Sequence, residues 1–233
     1  MQEPAVFPVD QLDLTFDPRP WPFAAARRAD IDTFFAELQR EKPAVWNGRV
    51  LVMHERAIDA GVFRGRYLET DYASFAAWCS WGRQGGAFDC FGAGAVIAAD
   101  NAVLMGVMGP HNFNAGRIYF PCGTPDASDI IGGKVDLDFS VRRELKEETG
   151  IDAATLEIEP GWITVVDGPL IAQIKPMRSR ESAEALRARI LAHMASEDVP
   201  ELSEIRIVRG PADVDPAMTR WAKAFVRYHF DGR

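Results

Sequence analysis

The chain has 233 residues, 47% apolar and 26% charged, the composition of a globular protein with one large domain, or one ordinary domain and an appended piece. Its formal net charge is −8 and no Lys/Arg run exceeds two, which argues against a nucleic-acid partner and for a small, discrete ligand. No stretch approaches the roughly 18 apolar residues of a membrane span, and Met1-Gln2-Glu3-Pro4 lacks the basic start of a signal peptide.

Cys79, Cys90 and Cys122 are odd in number, with no Cys-x-x-Cys pair, so they are expected to be reduced thiols of a cytoplasmic protein.

In chain order, five prolines among the first 22 residues predict an extended segment running over the surface. Ile31, Phe34, Phe35 and Leu38 keep helical spacing, with Asp30 as N-cap and Pro43 as the stop. Val50–His54 and Val62–Leu68 read as strands, the second with Arg64 and Arg66 on one face. Phe75–Trp81 reads as a short aromatic helix. Gly82, Gly85 and Gly86 then mark a boundary between an N-terminal extension or small α+β subdomain, 1–85, and a second domain, 86–233.

Phe91–Ala98 and Ala102–Met108 form an expected hairpin around Ala99-Asp100-Asn101. Arg117–Phe120 is a short strand, and a long Gly- and Asp-rich loop, Pro121–Leu137, follows. Phe139–Thr149 is a helix stopped by Gly150. Leu156–Glu159, Trp162–Val166, Leu170–Lys175 and Ile205–Val208 are strands, Ser182–Met194 is a helix, and Met218–Val226 begins a final amphipathic helix. Strands and helices mix without β-α-β alternation, which predicts a mixed sheet with helices on its faces.

The chemistry concentrates in Arg143-Glu144-Leu145-Lys146-Glu147-Glu148-Thr149-Gly150-Ile151. At about 100° per residue, Glu144, Glu147 and Glu148 share one arc with Arg143 on its flank. Three carboxylates so placed repel one another unless something positive stands between them. Mg²⁺ or Mn²⁺ would meet that need with oxygen ligands, and Arg143 could orient one glutamate. The plain alternative for such a face is a solvated surface.

The same residues resemble the second half of the Nudix box, Arg-Glu-U-x-Glu-Glu-x-Gly-U with U a bulky aliphatic, at every specified position. The resemblance implies an α/β/α sandwich around a mixed sheet. It also implies metal ligation by Glu144, Glu147 and Glu148, a glutamate-orienting Arg143, and water attack on a diphosphate linked to a nucleoside. The first half departs from the box. Val135 stands where the pattern has Glu, Asp129 stands where it has Gly, and Gly132-Gly133 come four residues late. A rebuilt loop is expected, starting at Gly123, with Asp136 or Asp138 replacing the missing glutamate.

Other candidates are weaker. Glu201 and Glu204 precede a late strand and could face the site, although exposed Glu is the default. His111 and Asn112 lie in a loop. Arg64 and Arg66 could hold a phosphate if the N-terminal piece covers the site. Trp78 and Trp81 could stack on a base, although Trp usually packs in cores.

The expected function is hydrolysis of a nucleoside diphosphate linked to a group X, such as a nucleotide sugar or ADP-ribose, with Mg²⁺ or Mn²⁺ as cofactor. The expected partner is that small molecule, with no nucleic acid and no membrane; a homodimer is left open. The alternatives are a non-catalytic Nudix-fold nucleotide-binding or regulatory module and an RNA-end pyrophosphohydrolase.

Overall fold

Alternating apolar residues at the chain's start are long enough to pair despite the prolines. In the computed structural model, which describes residues 2–43 and 45–232, Ala5–Val9 (β1) and Gln11–Phe16 (β2) are strands, not a loose surface segment. β2 contains no proline, and the one in β1, Pro8, which has no N–H to give, lies on a sheet edge that tolerates it. Pro22–Ala26 (α1) and Arg28–Glu41 (α2) follow; Asp30 sits in the first turn of α2 and not at its N-cap, which is Arg27. Arg49–Asp59 (β3), Val62–Asp71 (β4) and Tyr72–Ser80 (α3) complete this part. Asp71 caps α3 by accepting from the Ser74 N–H.

The remainder is Asp89–Ile97 (β5), Val103–Met108 (β6), Ile118–Tyr119 (β7), Ile130–Ile131 (β8), Lys134–Val135 (β9) and Leu137–Thr149 (α4). Then come Glu157–Ile158 (β10), Trp162–Asp167 (β11), Leu170–Arg178 (β12), Ala183–Met194 (α5), Leu202–Val208 (β13) and Arg220–Asp231 (α6). The mixed α/β class expected from the sequence is what is found, as two mixed sheets. The larger runs β1-β11-β12-β5-β6-β13, with β10 on β12 and β7 on β6; the smaller runs β3-β4-β2-β9-β8. β12 and β5 are parallel, as are β2 and β4. The expected hairpin turns at Asn101, but β5 and β6 pair only at Ile97 and Val103, since β5 gives its length to β12 and β6 to β13.

Alternation along β5 sets the layers. Gly92 and Gly94 face α4, while Phe91 meets Trp221 of α6 at 5.4 Å between ring centroids. A Cβ on Gly92 would stand 2.6 Å from the Val141 side chain, so the missing side chain lets α4 lie close over the sheet. Leu137, Val141 and Leu145, at i, i+4 and i+8, are the buried stripe that docks it. α5 packs beside α4 and on β13, and α6 covers β1 and β11 from the other face. That is the expected α/β/α sandwich.

The division at 85 does not follow the sheets. β1 belongs to the larger one, and β8 and β9, from the loop before α4, extend the smaller one through Thr15 and Lys134. Cys79, Cys90 and Cys122 are free, with Cys90 buried. Among the described residues no helix is long and apolar enough to cross a membrane.

Candidate functional site

α4 is set at both ends. The Asp136 carboxylate accepts from the Phe139 N–H at 3.0 Å, and Gly150 closes the helix in the left-handed conformation, as its sequence position predicts. Between them the helix turns its carboxylates toward the loop that descends from β7. Pro121 O accepts from Gly94 N–H at 3.0 Å, Cys122 bridges Ala93, and Pro125 O accepts from Leu51 N–H at 2.7 Å. The loop is thereby strapped to both sheets, with Cys122 and Gly123 beneath α4.

Arg143 is the hub. Its guanidinium lies 2.7 Å from Glu144 Oε1, 3.4 Å from Glu147 Oε2 and 3.2 Å from Asp129 Oδ1. Asp129 is fully buried and also accepts from the Asp126 N–H, closing a capping box over the single turn Ala127–Asp129. Burial works against the Arg143 charge, but Glu144 and Asp129 outweigh it and hold the guanidinium above its ordinary pKa. Asp129 thus makes a carboxylate–arginine contact, and Asp136 and Asp138, the sequence candidates to replace the missing glutamate, do not pair with Arg143. Those two are engaged elsewhere, Asp136 as the helix cap and Asp138 with Arg142 at 2.5 Å. A shorter acid placed six residues earlier reaches Arg143 because the β8–β9 hairpin folds back; Gly132 and Gly133, both at positive φ, form its exposed turn. Val135 is simply core.

Glu148 is almost entirely buried, and one oxygen accepts from the Cys122 N–H at 3.0 Å. Its burial, followed by repulsion from Glu201 and Glu144, pushes its carboxyl well above the usual range. Glu144 is pushed up to about 7, first by burial, with Arg143 opposing and Glu147, Glu201 and Asp129 adding repulsion. Glu201 therefore belongs to the same electrostatic cluster. Glu201 is exposed, yet the protein atoms near its carboxyl raise it, with His111 pulling the other way and Glu147 pushing up. Its backbone carbonyl accepts from the Gly109 N–H at 2.8 Å and the Asn112 amide at 2.7 Å, which is the work done by that loop.

Gly123 connects this cluster to a cleft. A Cβ there would stand 2.2 Å from Glu144 Oε1, and Gly123 also lines a cavity of about 540 Å³. The cavity has aromatic walls from Tyr72, Phe75, Phe91, Phe113, Tyr119 and Trp221, and basic groups from Arg83, Arg117, Arg220 and Lys223. Arg117, Phe113 and Lys223 went unnoticed in the sequence because no spacing links them; only the fold brings the 109–117 loop to the start of α6.

The other sequence candidates lie outside. Arg64 and Arg66 are exposed on β4, within 3.8 Å of Asp13 and 4.0 Å of Asp17 respectively, and they do not line the cleft. Glu204 pairs with Arg206 at 3.2 Å. Trp78 is core, its indole N–H donating to Gln84 O at 2.7 Å, and Trp81 packs on Phe23 and Phe34; neither lines the cleft. Gly132 and Gly133 face open space.

The donor set of Glu144, Glu147, Glu148 and Glu201 is all hard oxygen, and its mutual repulsion calls for positive charge, which suits Mg²⁺ or Mn²⁺. In this conformation Arg143 supplies that charge. With Glu144 and Glu147 turned to Arg143 and Glu148 to a backbone N–H, no three His, Cys, Asp or Glu side chains among the described residues are arrayed to hold a metal ion.

No family model and no curated protein matches the chain. Solved structures are similar to it at a distance. One is a Nudix hydrolase from M. smegmatis, RenU, at 16% identity over 59% of this chain and 80% of that one, with a TM-score of 0.36. Another, from Chromobacterium violaceum and assigned to the nudix hydrolase family, has 16% identity over 61% and 77%, with a TM-score of 0.39. A third is a bifunctional NMN adenylyltransferase/ADP ribose pyrophosphatase from Francisella tularensis complexed with AMP and a Mn ion. It shares 14% identity over 57% of this chain and 36% of that one, with a TM-score of 0.34.

Proposed function

We propose that the protein is a divalent-metal-dependent hydrolase of a phosphate anhydride, acting on a nucleoside diphosphate linked to a group X. The observation that carries this is the coupled cluster of Glu144, Glu147, Glu148 and Glu201 on the Arg143 hub, opening through Gly123 into a basic, aromatic cleft. Carboxylates kept together against their own repulsion cost stability, and a surface helix has no reason to bury Glu148 and half-bury Glu144 beside it.

Glu144, Glu147 and Glu148 would hold the metal, with Glu201 beside them. A bound divalent ion supplies charge screening for the diphosphate and acidifies a coordinated water. Arg143, held by Asp129, sets where the Glu144 and Glu147 carboxylates lie. Without metal the Glu144 carboxyl is pushed up to about 7, and as a ligand to a bound divalent ion it would be held ionised. The aromatic and basic cleft binds the organic half of the substrate and keeps water from it. Residues 1–85 contribute the α3 wall of that cleft, which supports a substrate-covering role for them.

One observation favours a second reading, a non-catalytic nucleotide-binding module: Arg143 already pairs with Glu144 and Glu147, two of the carboxylates a metal would need. The test is turnover of nucleotide sugars, ADP-ribose, dinucleoside polyphosphates, nucleoside triphosphates and capped RNA, with and without Mg²⁺ or Mn²⁺, by the parent and Glu147→Gln. The hydrolase reading expects metal-dependent release of a nucleoside monophosphate from one of the diphosphate compounds, abolished in Glu147→Gln. No turnover of any compound, with ligand binding unaffected by Glu147→Gln, leaves the binding module.

A further inference from the structure

Resting on the anhydride-hydrolase reading, we propose that the cleft between α3, the 109–117 loop and the start of α6 holds the nucleoside monophosphate half of the substrate. The base would lie against the aromatic wall and the phosphate between Arg117 and Lys223.

Charge is the first ground. Arg83 and Arg220 are neutralised inside the cleft, by Asp89 at 2.9 Å and by Asp167 at 2.9 Å. Arg117 and Lys223 have no carboxylate partner among the described residues; the Lys223 ammonium donates to Pro216 O at 3.0 Å. A chain of net charge −8 thus keeps two uncompensated cations in one concave site. Arg117 is exposed and Lys223 half-buried, and a concave site with two such cations attracts an anion.

Shape is the second. A volume of about 540 Å³ exceeds what a lone phosphate needs and falls in the range of sites for organic ligands. Phe91, Tyr119 and Trp221 pack edge to face or tilted, at 5.4 and 5.9 Å between centroids, and present a continuous aromatic wall. Phe113 is 38% exposed on the 109–117 loop, with the Lys42 ammonium 5.9 Å from its ring centroid, and its exposed part can meet a planar group. The Thr219 hydroxyl, also on the cleft wall, is buried without a hydrogen-bond partner.

Connection is the third. Cys122, Gly123 and Thr124 line the cleft, and Gly123 abuts Glu144. A diphosphate leaving the cleft at Gly123 reaches the carboxylate cluster directly. The aromatic wall distinguishes a nucleotide from a sugar phosphate, and the two free cations distinguish a nucleotide from a nucleoside.

The experiment is calorimetric titration of the full chain, without metal, with adenosine 5′-monophosphate, adenosine and ribose 5-phosphate as probes. Adenosine 5′-monophosphate is expected to bind at least about tenfold more tightly than either of the others. The double variant Arg117→Ala/Lys223→Ala should weaken it by about 10- to 100-fold, the loss of charge-assisted contacts, and leave adenosine within about twofold. Arg64→Ala/Arg66→Ala, outside the cleft, should change nothing. Ribose 5-phosphate binding as tightly as the nucleotide overturns the proposal, as does nucleotide binding indifferent to the double variant. Should the variant misfold by circular dichroism, Phe113→Ala at the exposed ring replaces it, with an expected loss for adenosine and the nucleotide alike; no loss overturns the proposal. Because the titration needs no turnover, its failure is separate from that of the Glu147→Gln assay.

Discussion

Glu144 offers a stability measurement that needs no substrate. Its carboxyl is raised from an ordinary 4.5 to about 7, chiefly by burial, and its side chain is 13% exposed. A raised folded-state pKa means the native chain holds a proton that the unfolded chain has lost. Stability from this group is complete below about 4.5, declines as pH rises, and is gone above about 7. At about 1.4 kcal/mol per pH unit the loss is about 3 kcal/mol, or about 6–12 °C in melting temperature for a chain of this size. Glu148, Asp129 and Glu201 are raised too and add to the slope, so the comparison is between the parent and Glu144→Gln. Melting both from pH 4.5 to 8 without divalent metal should give a steeper decline for the parent, with the variant the more stable at pH 8. A variant less stable than the parent at pH 8, with an unchanged slope, would show that the Arg143 ion pair outweighs burial and would refute the reasoning.

At pH 8, Mg²⁺ at about 100-fold its dissociation constant should stabilise the parent by about 2.7 kcal/mol, read as a rise in melting temperature that chelator reverses and that Glu148→Gln lacks. Gly123→Ala should fold within about 1 kcal/mol of the parent, since only the end of the Glu144 side chain must move, yet lose at least about tenfold in turnover. Asp129→Ala removes a buried partner of Arg143 and a cap, and should cost about 2–4 kcal/mol in urea unfolding together with turnover. Asp136→Ala removes only the α4 cap and should cost about 1 kcal/mol, with turnover nearly kept; equal losses of activity in the two would sink the assignment of Asp129.

The helix from Arg143 to Gly150 could be read in the sequence because cap, apolar stripe and carboxylate arc are all local and all agree. Strands β11, β12 and β13 and helices α2, α3, α5 and α6 were found within a few residues for the same reason. Asp129 was hidden because its partner, fourteen residues on, is reached through a two-residue hairpin whose strands are too short to show a period. β1 and β2 were hidden by the prolines in and around them, of which only Pro8 lies in a strand; their pairing with the distant β11 and β4 shows that the segment is extended within the sheets. The cleft was illegible in principle, since Phe113, Arg117 and Lys223 meet only across the tertiary fold.

The interleaving of the two sheets also bears on how the chain folds. β1 pairs with β11 across more than half the sequence, while β2, one residue after β1, joins the other sheet. The larger sheet is complete only when β1 and β13, far apart in the chain, have both arrived, whereas the hairpin that follows Asp129 belongs to the smaller sheet alone. Such long-range pairings raise contact order and slow folding. Separately produced fragments 1–85 and 86–233 would each expose an unfinished strand edge, a template for aggregation. The site therefore draws on both sheets, Asp129 from the start of the hairpin that closes the smaller one and α4 from its packing on β5 of the larger.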